Sequence, residues 1–116
     1  PHLFSSAASD VYKRQAWSND ESFDNIFLRQ LQAHGKFGDT LIALSTSGNS
    51  KNIINAIKYA KTNSINVISM TGNDGGIIKS LSDINFNVES KVTARIQELH
   101  ILAGHLICDL VENSLE

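Results

Sequence analysis

The sequence predicts an α/β fold built on one parallel sheet, and three observations support this prediction. Short apolar runs recur at residues 41–45, 67–71 and 83–88, stretches with helical spacing separate them, and polar or glycine-rich loops follow the first two runs. Strands joined by helical crossovers lie parallel, with right-handed connections. Ligands of such sheets bind beyond the carboxyl ends of the strands, so the loops at residues 45–50 and 71–76 are the candidate sites.

The first predicted helix and the first strand come before the polar loop. Apolar residues recur at helical spacing, and they are Phe23, Ile26, Phe27, Leu28 and Leu31. This pattern ends at His34 and Gly35, where we expect the glycine to adopt the left-handed cap conformation. Residues 41–45 then form a short buried strand. A second helix follows the loop, with one apolar face made of Ile53, Ile54, Ile57 and Ala60.

The second half of the chain repeats the alternation. The strand at residues 67–71 ends at a glycine-rich loop, and a helical turn at residues 77–81 leads to the strand at 83–88. The last helix spans residues 93–113 and has a predicted core stripe made of Ile96, Leu99, Leu102, Leu106, Leu110 and Val111. Cys108 falls within this apolar pattern and is predicted to be a buried, inert thiol.

Composition and charge exclude several classes of protein. The 116 residues are 41% hydrophobic, which is enough for one compact soluble domain. The formal charge of −2 and the lack of a basic cluster argue against a direct nucleic-acid partner. No run of about eighteen apolar residues predicts a membrane span. Without a signal-peptide pattern, we expect a cytoplasmic protein.

The loop at residues 45–50 is the most informative segment, and we call it the serine loop. The hydroxyls of Ser45, Thr46, Ser47 and Ser50 and several backbone N–H groups converge at the positive end of the following helix. Neither a Walker lysine nor the spaced glycines of a dinucleotide site are present, which favours a sugar phosphate over a nucleotide. Alternatively, Ser50 or Asn49 is only an N-cap and the other hydroxyls satisfy a tight turn.

The last helix carries two polar residues of interest. Gln97 and His105 are eight residues apart, which places them about 80° apart around the helix axis and roughly 12 Å apart along it. The two side chains can serve one binding site only if a bound group bridges them. His100, five residues before His105, lies on a different side of the helix from His105. A helical histidine alone is more often an exposed or satisfied residue than a ligand.

Residues 1–15 are predicted to lie outside the native reading frame. Residues 10–15, Asp-Val-Tyr-Lys-Arg-Gln, back-translate to a sequence that resembles the transposase end used to fragment DNA for sequencing. The alternative is a genuine mobile tail. The native sequence is therefore expected to occupy residues 16–116.

Four motifs occur here in the order seen in one enzyme family. They are Asn19-Asp20 before a helix, the serine loop, Thr-Gly-Asn-Asp-Gly-Gly at residues 71–76, and Ala-Arg-Ile-Gln-Glu-Leu-His at residues 94–100 followed by His105. From about Asn19 to the carboxyl end, the sequence resembles the bacterial phosphoheptose isomerases of the sugar isomerase (SIS) superfamily. The resemblance implies a three-layer α/β subunit of a homotetramer.

The resemblance also implies an activity and residue roles. The family converts sedoheptulose 7-phosphate into D-glycero-D-manno-heptose 7-phosphate for lipopolysaccharide core synthesis. By matching motif positions, the serine-loop hydroxyls would hold the phosphate, and Asn19 and Asp20 would contact the sugar. Gln97 would touch the substrate and a zinc ion, and His105 would be a zinc ligand and an acid or base. Such an isomerisation needs proton transfer through an enediol, in which histidine can take part.

The match is incomplete. The family's upstream phosphate loop and its helix with a histidine and a catalytic glutamate do not appear before Asn19. We therefore expect residues 16–116 to be the carboxyl-terminal part of one SIS domain, with half of the active site outside this chain, and we expect this chain alone to be inactive. Ala94 stands where some members have an aspartate. Two alternatives stay open: a tetrameric scaffold that binds the replication initiator protein, and a sugar-phosphate sensor domain. His105 favours the enzyme, because the scaffold relatives typically carry a non-ligand residue there.

Overall fold

The described residues form a four-stranded, fully parallel sheet flanked by helices, which confirms the predicted α/β class. The computed structural model describes Leu3–Ser5 as backbone and residues 23–115 in full. The strands lie side by side in chain order, and they are β1 (Leu3–Ser5), β2 (Thr40–Ser45), β3 (Asn66–Gly72) and β4 (Ile84–Val88). Of residues 1–15, the structure describes only the backbone of β1, and their non-native origin stays a prediction.

The helices confirm the predicted alternation. A single 3₁₀ turn precedes the first of them, and the elements are the turn Phe23–Asn25, α1 (Ile26–His34), α2 (Lys51–Thr62), α3 (Gly76–Leu81) and α4 (Thr93–Ser114). Among the described helices, none combines the length and apolar character that crossing a bilayer requires.

The main core lies between one face of β2 and β3 and the helices α1, α2 and α3. Side chains of β2 alternate between buried and half-buried positions, as a strand covered mainly on one face requires. The parallel register pairs Leu41 with Val67, so both point to the same face. The buried cluster consists of Leu31, Leu41, Ala43, Ile53, Ala56, Ile57, Ala60, Ile65, Val67 and Ile78.

On the same sheet face, β3 and β4 carry a buried polar ladder instead of apolar residues. Ser69 and Thr71 are fully buried. The Asn85 amide donates to Ser69 Oγ at 2.8 Å and to Thr71 Oγ1 at 3.0 Å, and Thr71 Oγ1 donates to Asn87 Oδ1 at 2.8 Å. These bonds satisfy groups that would otherwise be costly to bury. They also join the carboxyl end of β3 to the neighbouring strand.

The predicted core stripe of the last helix is wrong for this chain. Only Ile96 and His100 of α4 are buried. The four leucines of the predicted stripe are between 42% and 69% exposed, and these are Leu99, Leu102, Leu106 and Leu110. Cys108 is exposed too, so the predicted buried thiol is also wrong. The physical reason is that helical spacing places apolar residues on one face, but does not say that the same chain covers that face.

Gly35 ends α1 in a different way from the one predicted. Its φ of −72° and ψ of 140° are extended rather than left-handed. Its N–H donates to the carbonyl oxygen of Leu31 at 2.7 Å, and a Cβ at this position would lie 2.8 Å from that oxygen. The glycine is therefore needed for a close backbone approach and not for its access to positive φ.

Candidate phosphate-binding site

The serine loop joins the carboxyl end of β2 to the amino terminus of α2. Ser45 is the last residue of β2 and is buried, and Ser50 occupies the N-cap position of α2. The loop therefore lies at the edge of the sheet where parallel α/β folds bind their ligands. The two ends of the loop meet, because Ser45 Oγ and Ser50 Oγ are 2.7 Å apart in a hydrogen bond.

The remaining bonds of the loop close a tight turn. The Gly48 N–H donates to the carbonyl oxygen and to the Oγ of Ser45, each at 3.1 Å. The Asn49 N–H donates to Ser47 Oγ at 3.1 Å. Hydroxyls of Ser45 and Ser47 thus serve the turn, as one of the two interpretations of the sequence predicted.

The N-cap interpretation does not describe α2. Ser50 has the extended backbone of an N-cap, but its side chain makes no capping hydrogen bond to the helix, and the Ile53 N–H donates to Asn52 Oδ1 at 2.9 Å. The Ser50 hydroxyl pairs with Ser45 instead, and the Asn49 amide oxygen accepts a bond from Ile77 N at 3.0 Å. The remaining backbone N–H groups of the first turn of α2 lie at the positive end of the helix dipole, where they can bind an anion.

A second loop supports the serine loop from behind. We call residues 72–76 the glycine loop. The Gly48 carbonyl accepts a bond from Ile78 N at 2.9 Å and the Asn49 amide oxygen accepts one from Ile77 N, so the serine loop satisfies two N–H groups in the first turn of α3. Gly48 has a φ of +73°, and a Cβ there would overlap the Gly75 carbonyl. The two loops therefore pack backbone against backbone, with no room for a side chain.

Charges around the two loops are exposed. Lys51 is the first residue of α2, and its Nζ lies 3.7 Å from Asp24 Oδ2, with both side chains largely in solvent. Such a pair contributes little to stability. Beside the glycine loop, an open groove of about 460 Å³ mixes both signs of charge, and its lining is Asn73, Asp74, Lys79, Asn87, Glu89, Ser90 and Lys91. The serine loop, rather than this groove, has the geometry of an anion site.

The structure brings only part of the predicted site together. Ser45 and Ser50 are in contact, and Ser47 and Thr46 lie in the same turn. Gln97 and His105 lie on α4 with exposed side chains. Among the described residues, neither of these two side chains forms a hydrogen bond or an ion pair. The predicted sugar contacts Asn19 and Asp20 lie outside the described residues.

The described side chains do not complete a zinc site. Zinc sites in proteins use three or four protein ligands. Within the described part of the chain, no group of three or more His, Cys, Asp or Glu residues is arranged to hold a metal ion. Gln97 and His105 supply two donors at most, so any zinc would need ligands beyond these two.

His100 is the residue of this region that sequence reasoning missed. Its side chain is buried, its Nε2 lies 2.7 Å from the carbonyl oxygen of Thr71, and its ring meets Phe86 edge to face at 6.4 Å between centroids. Because a carbonyl only accepts, Nε2 is the donor. His100 follows Ile96 by four residues, so the two lie on the same face of α4. That spacing was the signal for its burial.

The loop and sheet geometry agrees with the family that this sequence matches. A protein-family model described as the SIS domain matches residues 1–72, which include the serine loop, β2 and β3. The chain belongs to the SIS domain family. A phosphoheptose isomerase from Leptospira biflexa is 49% identical to this SIS domain over 107 residues, which are 92% of the chain and 55% of the relative.

Other relatives and solved structures give the same result. A phosphoheptose isomerase from Sulfurimonas denitrificans is 49% identical over 100 residues, covering 86% of this chain and 51% of the relative. The structure of a phosphoheptose isomerase from Neisseria gonorrhoeae superposes with a TM-score of 0.85 at 44% identity, covering 90% of this chain and 59% of that one. For the Francisella tularensis enzyme, the TM-score is 0.83 at 36% identity, with the same coverage. The chain thus spans a little over half the length of its relatives.

Proposed function

We propose that the complete protein is a phosphoheptose isomerase, which converts sedoheptulose 7-phosphate into D-glycero-D-manno-heptose 7-phosphate for lipopolysaccharide core synthesis. The observation that carries this proposal is the serine loop. It combines paired hydroxyls with a helix terminus at which the N-cap residue, Ser50, makes no capping bond, and the chain is 49% identical to phosphoheptose isomerases. A phosphate monoester fits this arrangement, because its oxygens accept several hydrogen bonds and its charge favours a helix amino terminus.

In this proposal, the serine loop holds the phosphate end of the substrate. Ser47 and Thr46 lie on the loop between the two bonded serines, and Ser50 begins α2. Their hydroxyls rotate to donate to phosphate oxygens, while the backbone N–H groups of the first turn of α2 add further donors. Holding one end of a flexible sugar places the carbon atoms that react at a set distance from the sheet edge.

We also propose that Gln97 and His105 belong to the half of the site that transfers the proton. Ketose and aldose interconvert when a group removes a proton from one carbon and returns it to its neighbour. His105 is the acid or base that this chain contributes, and Gln97 is a substrate contact. Both side chains are exposed on α4, so the groups that complete this half come from outside the described residues. Zinc belongs to the proposal only with such additional ligands.

Assembly is part of the same proposal. The exposed leucines of α4 form an apolar stripe, and exposed apolar stripes mark interaction surfaces. A homotetramer of complete chains would cover this stripe. The same assembly would bring residues of other segments or subunits next to Gln97 and His105.

Product analysis of the full-length protein tests the proposed activity. Purified, zinc-loaded protein is incubated with sedoheptulose 7-phosphate, and the aldoheptose phosphate is quantified by chromatography. We expect product formation that stops when His105 is replaced by Asn. A folded tetramer that forms no product contradicts the enzyme, and binding of the replication initiator protein by that tetramer would support the scaffold alternative.

A further inference from the structure

The contact between α4 and the sheet is small, and it is concentrated at the carboxyl end of β3. Of the 22 residues of α4, only Ile96 and His100 are buried. Ile96 packs so closely on Gly72 that a Cβ at Gly72 would overlap its side chain. His100 hydrogen-bonds to the carbonyl oxygen of Thr71, one residue earlier. Both buried side chains of α4 therefore contact two adjacent residues of β3, and the His100 ring also meets Phe86 of β4.

The same two residues of β3 contact the serine loop. Thr71 is the register partner of Ser45, the first residue of the loop. A Cβ at Gly72 would lie 2.7 Å from the carbonyl oxygen of Thr46, the second residue. His100 thus connects α4 to the part of the sheet that adjoins the serine loop, by a directional bond rather than by apolar contact alone.

Gln97 lies between the two anchors of α4. It follows Ile96 directly, and it precedes His100 by three residues, which makes Gln97 and His100 neighbours on the helix surface. His105 is five residues beyond His100, about 7.5 Å along the axis. Any rotation or withdrawal of α4 at His100 therefore moves Gln97 and His105 relative to the serine loop.

We propose that His100 is a positioning residue, which fixes the distance between the serine loop and the side chains of Gln97 and His105 through its bond to Thr71. The inference rests on the proposed function, because it concerns the groups that act on the sugar. A displacement of reacting groups by about 1 Å can lower the rate about 10²-fold. Loss of the His100 bond is therefore expected to act on turnover, while the serine loop keeps its own hydrogen bonds and its affinity for phosphate.

The test compares four forms of the full-length protein: wild type, His100→Ala, His100→Gln and His34→Ala. The Gln variant is informative because its side-chain amide reaches about as far as Nε2 and can donate to the Thr71 carbonyl. His34 is an exposed histidine at the end of α1 and controls for the loss of any imidazole. Steady-state kinetics with sedoheptulose 7-phosphate give kcat per folded molecule and KM, with the folded fraction taken from circular dichroism.

We expect His100→Ala to lower kcat about 10²-fold and to change KM less than about threefold, since the phosphate contacts remain. His100→Gln should restore most of the lost turnover, and His34→Ala should behave like wild type. Equal kcat in wild type and folded His100→Ala overturns the proposal. So does an equal loss in the Ala and Gln variants. If His100→Ala does not fold, His100→Asn replaces it, because the shorter amide cannot reach Thr71.

Hydrogen exchange separates this inference from the proposed function. In His100→Ala, the amides around Gln97 should exchange at least about tenfold faster than in wild type, while those of the serine loop stay unchanged. If the wild-type protein has no isomerase activity, the proposed function fails, and the exchange pattern alone then decides whether His100 anchors the helix. Equal exchange in both proteins overturns the anchoring role.

Discussion

The serine loop and helix α4 differ in how completely this chain builds them. The serine loop has internal hydrogen bonds, packs against the glycine loop, and accepts hydrogen bonds from the first turn of α3. Helix α4 contacts the sheet through two buried side chains and exposes an apolar stripe. The described residues therefore form the whole serine loop, whereas they leave the apolar stripe of α4 uncovered.

This difference separates the two halves of the proposed site. The hydroxyls and the helix terminus that this chain offers to a phosphate come from one short segment between β2 and α2. Proton transfer needs groups from distant parts of the sequence. We therefore expect substitutions near the serine loop to act on folding and affinity within this chain. Substitutions of the exposed leucines of α4 should act mainly through assembly.

The substitution with the largest expected effect breaks the contact between the serine loop and the glycine loop. Gly48→Ala combines a φ of +73° with an overlap between the new Cβ and the Gly75 carbonyl. We expect it to lower the free energy of unfolding by about 3 kcal/mol or more, from backbone strain and overpacking together. Chemical denaturation measures the change.

Two glycines serve as matched controls for Gly48. Gly38 has a φ of +86° but open space around it, so Gly38→Ala should show the strain alone, about 1 kcal/mol. Gly104 lies in the middle of α4, also with open space, and Gly104→Ala should stabilise the helix by about 0.5 to 1 kcal/mol. Similar losses at Gly48 and Gly38 would mean that the loops can move apart.

The next prediction compares substitutions of a buried residue and of an exposed residue on α4. Ile96→Ala should lower the free energy of unfolding by about 2 to 4 kcal/mol, because Ile96 is 3% exposed and fills the contact with Gly72. Leu106→Ala should cost within about 0.5 kcal/mol in the dilute protein. A loss at Leu106 that grows with protein concentration would show that another copy of the chain covers the stripe.

A smaller effect concerns the serine loop and its ligand. Ser47→Ala and Ser50→Ala should each weaken binding of the sugar phosphate by about 1.5 to 3 kcal/mol, the usual contribution of a hydrogen bond to a charged group. Isothermal calorimetry on the full-length protein measures this. Ser80→Ala is the control, since the Ser80 hydroxyl only donates to a helix carbonyl on the surface. Unchanged affinity with a lowered melting temperature would make the two serines purely structural.

The smallest effect is at Cys108. Because its side chain is exposed, Cys108→Ser should change the free energy of unfolding by less than about 0.5 kcal/mol. In the dilute native protein, a thiol reagent should modify Cys108 about as fast as in urea. Strong protection at high protein concentration would place Cys108 within an interface.

The strands β2, β3 and β4 and the helices were predictable from the sequence because they follow short apolar runs or a helical period of 3.6, whereas β1 was not predicted. The serine loop was predictable too, since its chemistry lies in consecutive residues. The burial of side chains on α4 was not predictable, because it depends on whether another surface covers residues such as Leu106 and Cys108. The conformation of Gly35 was not predictable either. There the sequence shows a glycine at a helix end, but not whether backbone approach or positive φ requires it.

His100 shows a different limit of sequence reasoning. Its spacing from Ile96 indicates the buried face of α4, but its partner is a backbone carbonyl of β3, 29 positions earlier in the chain. No side-chain pattern marks a carbonyl acceptor, because every residue has one. The partner becomes visible only when the helix is placed on the sheet.

The backbone contact between Gly48 and Gly75 has a consequence for protein engineering. No side chain fits at this contact, so the rear of the serine loop offers no position at which a substitution can retune its ligand. The adjustable positions lie on the solvent side, at Thr46 and Ser47. A library that aims at a different anionic ligand should therefore vary the rim of the loop and leave its glycine backing untouched.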